Sequence, residues 1–145
     1  MITKAMKYTT KFGGTGKRAD VLGYSDAGKS GTADKAIKGG YDPHFVCASF
    51  IGIVPANQPA FVLLVAMDEP EYGYEPGQGR THMGGFCSAP VFREIAARAL
   101  EYLGIAPDDP HGYPAGDPRF MAEKADWYPE TRRLKEMYEK WNIPK

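Results

Sequence analysis

The chain has 145 residues, of which 43% are hydrophobic and 25% charged, and 18 basic residues balance 18 acidic ones. This length is typical of one domain, and this composition allows a buried core. The neutral net charge argues against a nucleic-acid-binding protein. Since no apolar run approaches the roughly 20 residues that span a bilayer, we expect no membrane contact from this segment itself. Two cysteines exclude a scaffold held together by several disulfides.

The N-terminal part is predicted to hold a helix, a loop and a strand. Residues 2–12 are interpreted as the end of a helix that stops at Gly13-Gly14, and residues 13–23 as a loop or short crossover. Tyr24 to Ile37 has no helical period and many small residues. This pattern favours a strand that another backbone approaches closely.

Two clearer strands are predicted next. His44 to Val54 is rich in β-branched and aromatic residues, and Phe61 to Met67 is a continuous apolar run. The five residues between them, 55–59, have the composition of a turn, so we expect an antiparallel hairpin. A continuous apolar run also predicts that both faces of the second strand are buried.

The rest of the chain is predicted to contain a long loop and two helices. Residues 68–87 form the loop. A helix follows over about Pro90 to Leu103, with Ser88 as its N-cap and one apolar stripe, made of Val91, Phe92, Ile95, Ala96, Ala99, Leu100 and Leu103. After a proline-rich connection over 105–128, a last helix begins near Pro129, with a stripe of Leu134, Met137, Tyr138 and Trp141.

Positive charge is concentrated near the N-terminus. Residues 1–40 carry eight basic side chains and only three acidic ones. Composition leaves two readings open: a solvated basic surface, or attraction of a ligand that carries a carboxylate or phosphate.

One short motif suggests nucleotide binding. Gly23 to Ser30 satisfies the phosphate-loop pattern, and Phe61 to Glu69 resembles an apolar strand that ends in magnesium-binding acids. In that alternative, Lys29 would contact the outer phosphates and Ser30 would bind Mg²⁺. The context argues against it, because a polar stretch precedes the loop and no crossover helix follows it.

The same lysine fits a second pattern better. Lys29-Ser30-Gly31-Thr32 resembles the Lys-Ser/Thr-Gly-Thr element of penicillin-recognising serine acyltransferases. The surrounding sequence resembles the transpeptidase domain of class B penicillin-binding proteins, of the cell-division or elongation type, over about residues 5–108. The stretches that carry this wider resemblance are Gly14–Ala19, Gly23-Tyr24, Ala27–Ala33, Ala48–Ala56, Val65–Pro70, Gly84-Gly85, Ala89–Ile95 and Tyr102–Ile105.

The resemblance implies a fold and a reaction. The fold is α/β, a partial transpeptidase fold with three antiparallel strands of a larger sheet and an amphipathic helix. The reaction is transfer of an acyl group from a D-Ala-D-Ala stem peptide of peptidoglycan, through a serine that β-lactams also acylate. By resemblance, Lys29 and Thr32 are catalytic, and Ser30, Gly31 and Thr32 bind the substrate, with the Thr32 backbone N–H donating to the oxyanion.

Two elements of the family pattern are missing from this sequence. The family's Ser-x-x-Lys and Ser-x-Asn motifs have no match at any of the chain's serines, which are Ser25, Ser30, Ser49 and Ser88. Both motifs precede the lysine element in the family. We therefore expect residues 1–108 to be the C-terminal portion of a transpeptidase domain, inactive alone, and residues 109–145 to be an extension with no assigned counterpart.

The expected partners follow from the same resemblance. They are the remainder of the transpeptidase domain, which carries the nucleophilic serine, together with peptidoglycan stem peptides and β-lactams. The parent protein is expected at the inner membrane, with this domain on the periplasmic side. A catalytically dead pseudoenzyme remains an alternative, since the nucleophile would lie outside this chain.

No cofactor or metal is expected. The spacing of three histidines and two cysteines lacks a zinc-ligand pattern, and they are His44, His82, His111, Cys47 and Cys87.

Overall fold

The fold is a three-stranded antiparallel sheet with helices packed against it. A computed structural model describes residues 2–11 and 13–109. The elements, in chain order, are α1 (Ile2–Thr10), a 3₁₀ turn (Lys17–Ala19), β1 (Ala27–Ile37), β2 (Gly40–Val54), β3 (Phe61–Asp68), β4 (Tyr74–Glu75), β5 (Gly79–Arg80) and α2 (Ser88–Tyr102). The sheet order is β1-β2-β3, and β4 and β5 form a separate ribbon. The predicted α/β class is confirmed, while residues 110–145, with the helix predicted near Pro129, lie outside the described residues.

The two predicted strand starts need correction. β1 begins at Ala27 and not at Tyr24, because Tyr24 N–H closes a turn onto Val21 O and the next two residues bond to loops. β2 begins at Gly40 and not at His44, because residues 38–39 form a tight turn in which Gly39 has a φ of 103°. The predicted hairpin of β2 and β3 is confirmed.

Two phenylalanines form the centre of the core. Phe50 of β2 and Phe92 of α2 are fully buried, with ring centroids 5.0 Å apart and planes inclined by 58°. Gly28 and Gly52 are directly opposite each other in the β1–β2 register. A Cβ at Gly52 would lie 2.5 Å from the Phe92 ring, and a Cβ at Gly28 would lie 2.8 Å from a Phe50 ring carbon. These glycines therefore leave the space that both rings occupy.

Only part of the predicted helical stripe is buried. Phe92, Ala96 and Leu100, one turn apart, are fully buried, whereas Val91 and Ile95 are exposed in the described part of the chain. Ser88 is not the N-cap, because it lies inside α2 and its hydroxyl donates to Ala48 O at 3.1 Å. This bond fastens the start of α2 to β2.

The prediction that both faces of β3 are buried was wrong. Its exposure alternates, and Val62 and Leu64 are 61% and 60% exposed. Ile51 of β2, which pairs with Leu64, is 42% exposed. The helices cover one face of the sheet, and among the described residues nothing covers the other. We call the face that carries Ile51, Val62 and Leu64 the outer face.

A buried lysine connects α1 to the loop that precedes β1. Lys11 Nζ lies 2.7 Å from Asp20 Oδ1, 3.2 Å from Asp26 Oδ1 and 3.7 Å from Asp109 Oδ2. Burial alone would lower the pKa of Lys11, but the carboxylates of Asp26 and Asp20 outweigh it and raise that pKa above its ordinary value. Lys11 therefore stays charged and holds three segments together.

The segment after α2 folds back onto the start of β1. The Asp108 carboxylate accepts the Ser25 backbone N–H at 2.6 Å and the Asn57 side-chain amide at 3.0 Å. Tyr24 donates its hydroxyl to Ile105 O at 2.6 Å. The sequence predicts that residues 105–109 begin a proline-rich connection, but these contacts make them part of the packed unit.

No helix within the described ranges has the length and apolar character needed to cross a membrane.

We predict that Lys11→Met destabilises the chain by about 3–5 kcal/mol, because it leaves buried carboxylates without their counter-charge. Urea denaturation followed by circular dichroism measures the loss. Lys38→Met, in the exposed β1–β2 turn, is the matched control and should change the free energy of unfolding by less than about 0.5 kcal/mol. Equal effects of the two substitutions would contradict a structural role for Lys11.

Candidate functional site

A cavity of about 580 Å³ lies beside β1. Three parts of the chain enclose it: the segment that leads into the 3₁₀ turn, strand β1, and the region from β4 to the start of α2. Its lining residues are Gly14, Thr15, Lys17, Arg18, Ser30, Thr32, Gly77, Gln78, Arg80, Met83, Gly85 and Phe86. A volume of this size suits a small ligand.

Strand alternation separates the predicted site residues into two groups. Ser30 and Thr32 line the cavity, on the same face of β1 as Gly28. Lys29 belongs to the opposite face, where it is exposed, and its Nζ donates to Ser30 O. Gly31 is on the Lys29 side of the strand. The structure thus brings Ser30 and Thr32 together at the cavity and places Lys29 on the outer face of the sheet.

Neighbouring loops hold the two hydroxyls. Thr15 Oγ1 lies 3.3 Å from Ser30 Oγ, within hydrogen-bonding distance. The Gly84 backbone N–H donates to Thr32 Oγ1 at 3.1 Å. Both hydroxyls keep further hydrogen-bonding capacity for a ligand.

Glycines allow the loop before α2 to lie against the sheet. A Cβ at Gly84 would overlap the carbonyl oxygens of Ser49 and Gly31 and lie 2.9 Å from Ser49 N. A Cβ at Gly85 would overlap Thr15 O. At Gly31, an added Cβ would meet Ser49 Oγ at 2.6 Å and, outside its chain neighbours, no other atom of the described residues within 4 Å. The cavity wall therefore depends on direct backbone packing between this loop and β1 and β2.

The cavity is positively charged. Among the described residues, Lys17, Arg18 and Arg80 line it, and no acidic side chain does. The Arg18 guanidinium lies 3.7 Å from the centroid of the Phe86 ring, and it donates to Gln78 Oε1. The basic excess in residues 1–40 therefore contributes in part to a cavity that favours anions.

In the described part of the chain we find neither a metal-binding group of side chains nor a phosphate loop. Within residues 2–11 and 13–109, no group of three or more His, Cys, Asp or Glu side chains is arranged to hold a metal ion. His82 is buried, and its Nε2 donates to Pro43 O at 3.0 Å. The phosphate-loop alternative is wrong in structural terms, because Gly28, Lys29 and Ser30 lie inside a strand, whereas a phosphate loop must open a helix.

The sequence does not predict most of the cavity wall. Thr15 and Arg18 lie within a stretch that was singled out only as a family resemblance, and Gln78 and Arg80 lie in a loop with no assigned role. The signals available were the basic excess near the N-terminus and the glycine pair Gly84-Gly85. Neither signal indicates that the β4–β5 ribbon reaches β1.

The chain belongs to the penicillin-binding protein transpeptidase family. The family model described as "Penicillin binding protein transpeptidase domain" matches residues 1–97. The probable peptidoglycan D,D-transpeptidase PenA of Neisseria flavescens is 33% identical over 109 residues, which are 75% of this chain and 26% of the relative. The probable peptidoglycan D,D-transpeptidase PbpC of Pseudomonas aeruginosa is 43% identical over 99 residues, 68% of this chain and 16% of the relative.

Solved structures agree with this assignment. The transpeptidase domain of penicillin-binding protein 3 from Burkholderia pseudomallei, in its apo form, matches with a TM-score of 0.62 and 36% identity, covering 74% of this chain and 30% of that one. The chain therefore spans about a third or less of the proteins it matches here. The predicted family and the partial transpeptidase fold are confirmed.

We predict that Gly84→Ala destabilises the chain by about 1–3 kcal/mol, because the new methyl group overlaps two backbone carbonyls that cannot rotate away. Gly31→Ala is the comparison, since its methyl group meets only a rotatable hydroxyl and should cost less. Thermal denaturation of both variants measures the difference. If Gly31→Ala were the more damaging substitution, the described packing of the loop on the sheet would be incorrect.

Proposed function

We propose that this chain supplies one wall of a serine acyl-transfer site that cross-links D-Ala-D-Ala stem peptides of peptidoglycan. The observation that carries the proposal is the placement of the Ser30 and Thr32 hydroxyls on one cation-lined cavity beside β1. The family assignment supports the reaction class, because relatives of this chain are named peptidoglycan D,D-transpeptidases. In this proposal, residues 1–108 are the C-terminal portion of the transpeptidase domain.

The proposed reaction proceeds in two steps. The hydroxyl oxygen of a serine outside this chain bonds to the carbonyl carbon of the penultimate D-alanine, and the C–N bond breaks. Terminal D-alanine leaves with the proton. An amine of a second stem peptide then attacks the ester, which releases the serine and forms the cross-link. A β-lactam reacts as in the first step: the serine oxygen bonds to the lactam carbonyl carbon, and the C–N bond of the ring breaks.

Each predicted residue has a role in this proposal. Ser30 and Thr32 donate hydrogen bonds to the terminal carboxylate of the stem peptide, in a cavity whose cations favour an anion. Gly31 leaves the strand edge open, so that the peptide backbone can lie along β1. The Thr32 backbone N–H stabilises the oxyanion, a type of contact that commonly contributes about 10²–10³ in rate.

Lys29 is proposed to act with the missing part of the domain. In the sheet register Lys29 is opposite Ile51, and Ile51 is opposite Leu64, so a cation and two exposed apolar side chains form one row across the outer face. A partner that buries this apolar row would also meet Lys29. In this proposal that partner is the remainder of the transpeptidase domain, whose Ser-x-Asn serine would contact the ammonium group.

The proposal also assigns a location. The parent protein would be anchored in the inner membrane, with this domain on the periplasmic side, where peptidoglycan lies. The family assignment supports this location through the function of the relatives, and the described residues carry no spanning helix of their own.

Intact-mass spectrometry with benzylpenicillin tests the proposal. With the serine-bearing remainder of the domain present, we expect a penicilloyl adduct on that part and none on residues of this chain. Lys29→Ala should slow acylation by about 10²-fold or more, as expected for loss of a group that assists proton transfer. Lys38→Ala, at the exposed end of the same hairpin, is the control and should acylate at the unchanged rate.

Two results would contradict the proposal. An adduct on this chain itself would place the nucleophile here and overturn the division of roles. Failure of the folded, complete domain to form any adduct would instead support a catalytically dead relative.

A further inference from the structure

We propose that Arg18 and Arg80 form a second anion subsite in the cavity, which binds a carboxylate on the side chain of the acylating ligand. This inference rests on the proposed function. It assigns the substrate class more narrowly: a peptide or β-lactam with one anionic group at the Ser30 and Thr32 hydroxyls and a second anionic group beyond them.

The charges of the cavity wall support a second anionic group. Of the described residues that line the cavity, Lys17, Arg18 and Arg80 are cationic and none is acidic. Within residues 2–11 and 13–109, none of these three side chains takes part in an ion pair. Elsewhere in the same part of the chain, Lys11, Lys35 and Arg98 are all paired with carboxylates. The three cations on this concave surface carry more positive charge than one terminal carboxylate can neutralise.

Contacts with uncharged groups, and not with a carboxylate, hold the Arg18 side chain in position. Its guanidinium packs on the Phe86 ring at 3.7 Å and donates through Nη2 to Gln78 Oε1. Gln78 is fixed in turn, because its Nε2 donates to Glu75 Oε2 at 2.6 Å. A guanidinium has five N–H groups, so Arg18 keeps donors for a ligand after this contact. A positioned guanidinium loses little side-chain entropy when it binds a carboxylate.

The second subsite is built from a different part of the chain than the first. Ser30 and Thr32 belong to β1, whereas Arg80 and Gln78 belong to the β4–β5 ribbon region and Arg18 to the 3₁₀ turn. The contact between Arg18 and Gln78 joins the ribbon to the turn across the cavity. A ligand with two carboxylates would therefore contact β1 and the ribbon together, while a ligand with one would contact β1 alone.

A matched pair of penicillins tests this inference. Benzylpenicillin and carbenicillin differ by one carboxylate on the side-chain carbon, and both acylate by the same ring opening. The rates of acylation are measured on the complete domain for the wild type, Arg80→Gln and Arg18→Gln, by intact mass against time. Arg98→Gln, an exposed arginine of α2 that pairs with Glu94 and does not line the cavity, is the control.

We expect each cavity substitution to lower the carbenicillin rate about tenfold relative to the benzylpenicillin rate, as for loss of one charge-assisted hydrogen bond. Arg98→Gln should leave the ratio of the two rates unchanged. Arg80 is exposed on the ribbon, so Arg80→Gln carries the test even if Arg18→Gln impairs folding.

The outcomes separate this inference from the proposed function. Acylation by both penicillins with an unchanged ratio in both cavity variants would overturn the second subsite and leave the acyl-transfer site intact. Failure of both penicillins to acylate the folded wild-type domain would overturn the proposed function and the subsite with it.

Discussion

The packing of Phe50 and Phe92 against glycine backbone determines where the site strand lies. Phe50 occupies the space that side chains at Gly16 and Gly28 would fill, because a Cβ would lie 2.6 Å and 2.8 Å from its ring carbons. Phe92 occupies the space in front of Gly52. Since Gly28 directly precedes Lys29, the aromatic pair sets the distance between the site strand and the core. The hydroxyls of Ser30 and Thr32, which line the cavity, come after Gly28 on the same face of β1.

The helix that buries Phe92 also positions the opposite wall of the cavity. Ser88 bonds to Ala48 O at 3.1 Å, and four residues earlier Gly84 lies on the backbone of β1 and β2. The Gly84 N–H then contacts Thr32 Oγ1 at 3.1 Å. Core packing and cavity shape are therefore joined over a few residues, because the start of α2 cannot shift without moving the group that orients Thr32.

The elements that could be predicted from the sequence are those whose own apolar pattern indicates which of their residues are buried. β2, β3 and α2 have apolar runs or helical periodicity. Their order, the pairing of β2 with β3 and the bounds of β3 and α2 were predicted to within two residues, whereas β2 begins four residues earlier than predicted. The exposed outer face of β3 could not be predicted, because an apolar run shows what a strand can bury and does not show whether a partner is present. For the same reason the predicted apolar stripe of α2 includes Val91 and Ile95, which are exposed.

The Lys11 cluster and the contacts of Asp108 join residues far apart in sequence, and no local pattern predicts them. Of the residues that line the cavity, Ser30 and Thr32 belong to the family motif, whereas the contact between Arg18 and Gln78 depends on the path of an irregular loop.

The two faces of β1 differ in what they require from a partner. On the inner face, Ser30 and Thr32 have hydrogen-bonding neighbours among the described residues, and in the proposed function a ligand would occupy the cavity that they line. On the outer face, Lys29 shares a row with exposed Ile51 and Leu64, and burial of that row requires another protein surface. Burying these apolar side chains would also remove water from around the Lys29 ammonium group, which strengthens its interaction with any polar group that the partner brings. In the proposed function, docking of the partner on the outer face and desolvation of Lys29 would occur together, because the apolar contact that stabilises the assembly would also remove water from the lysine.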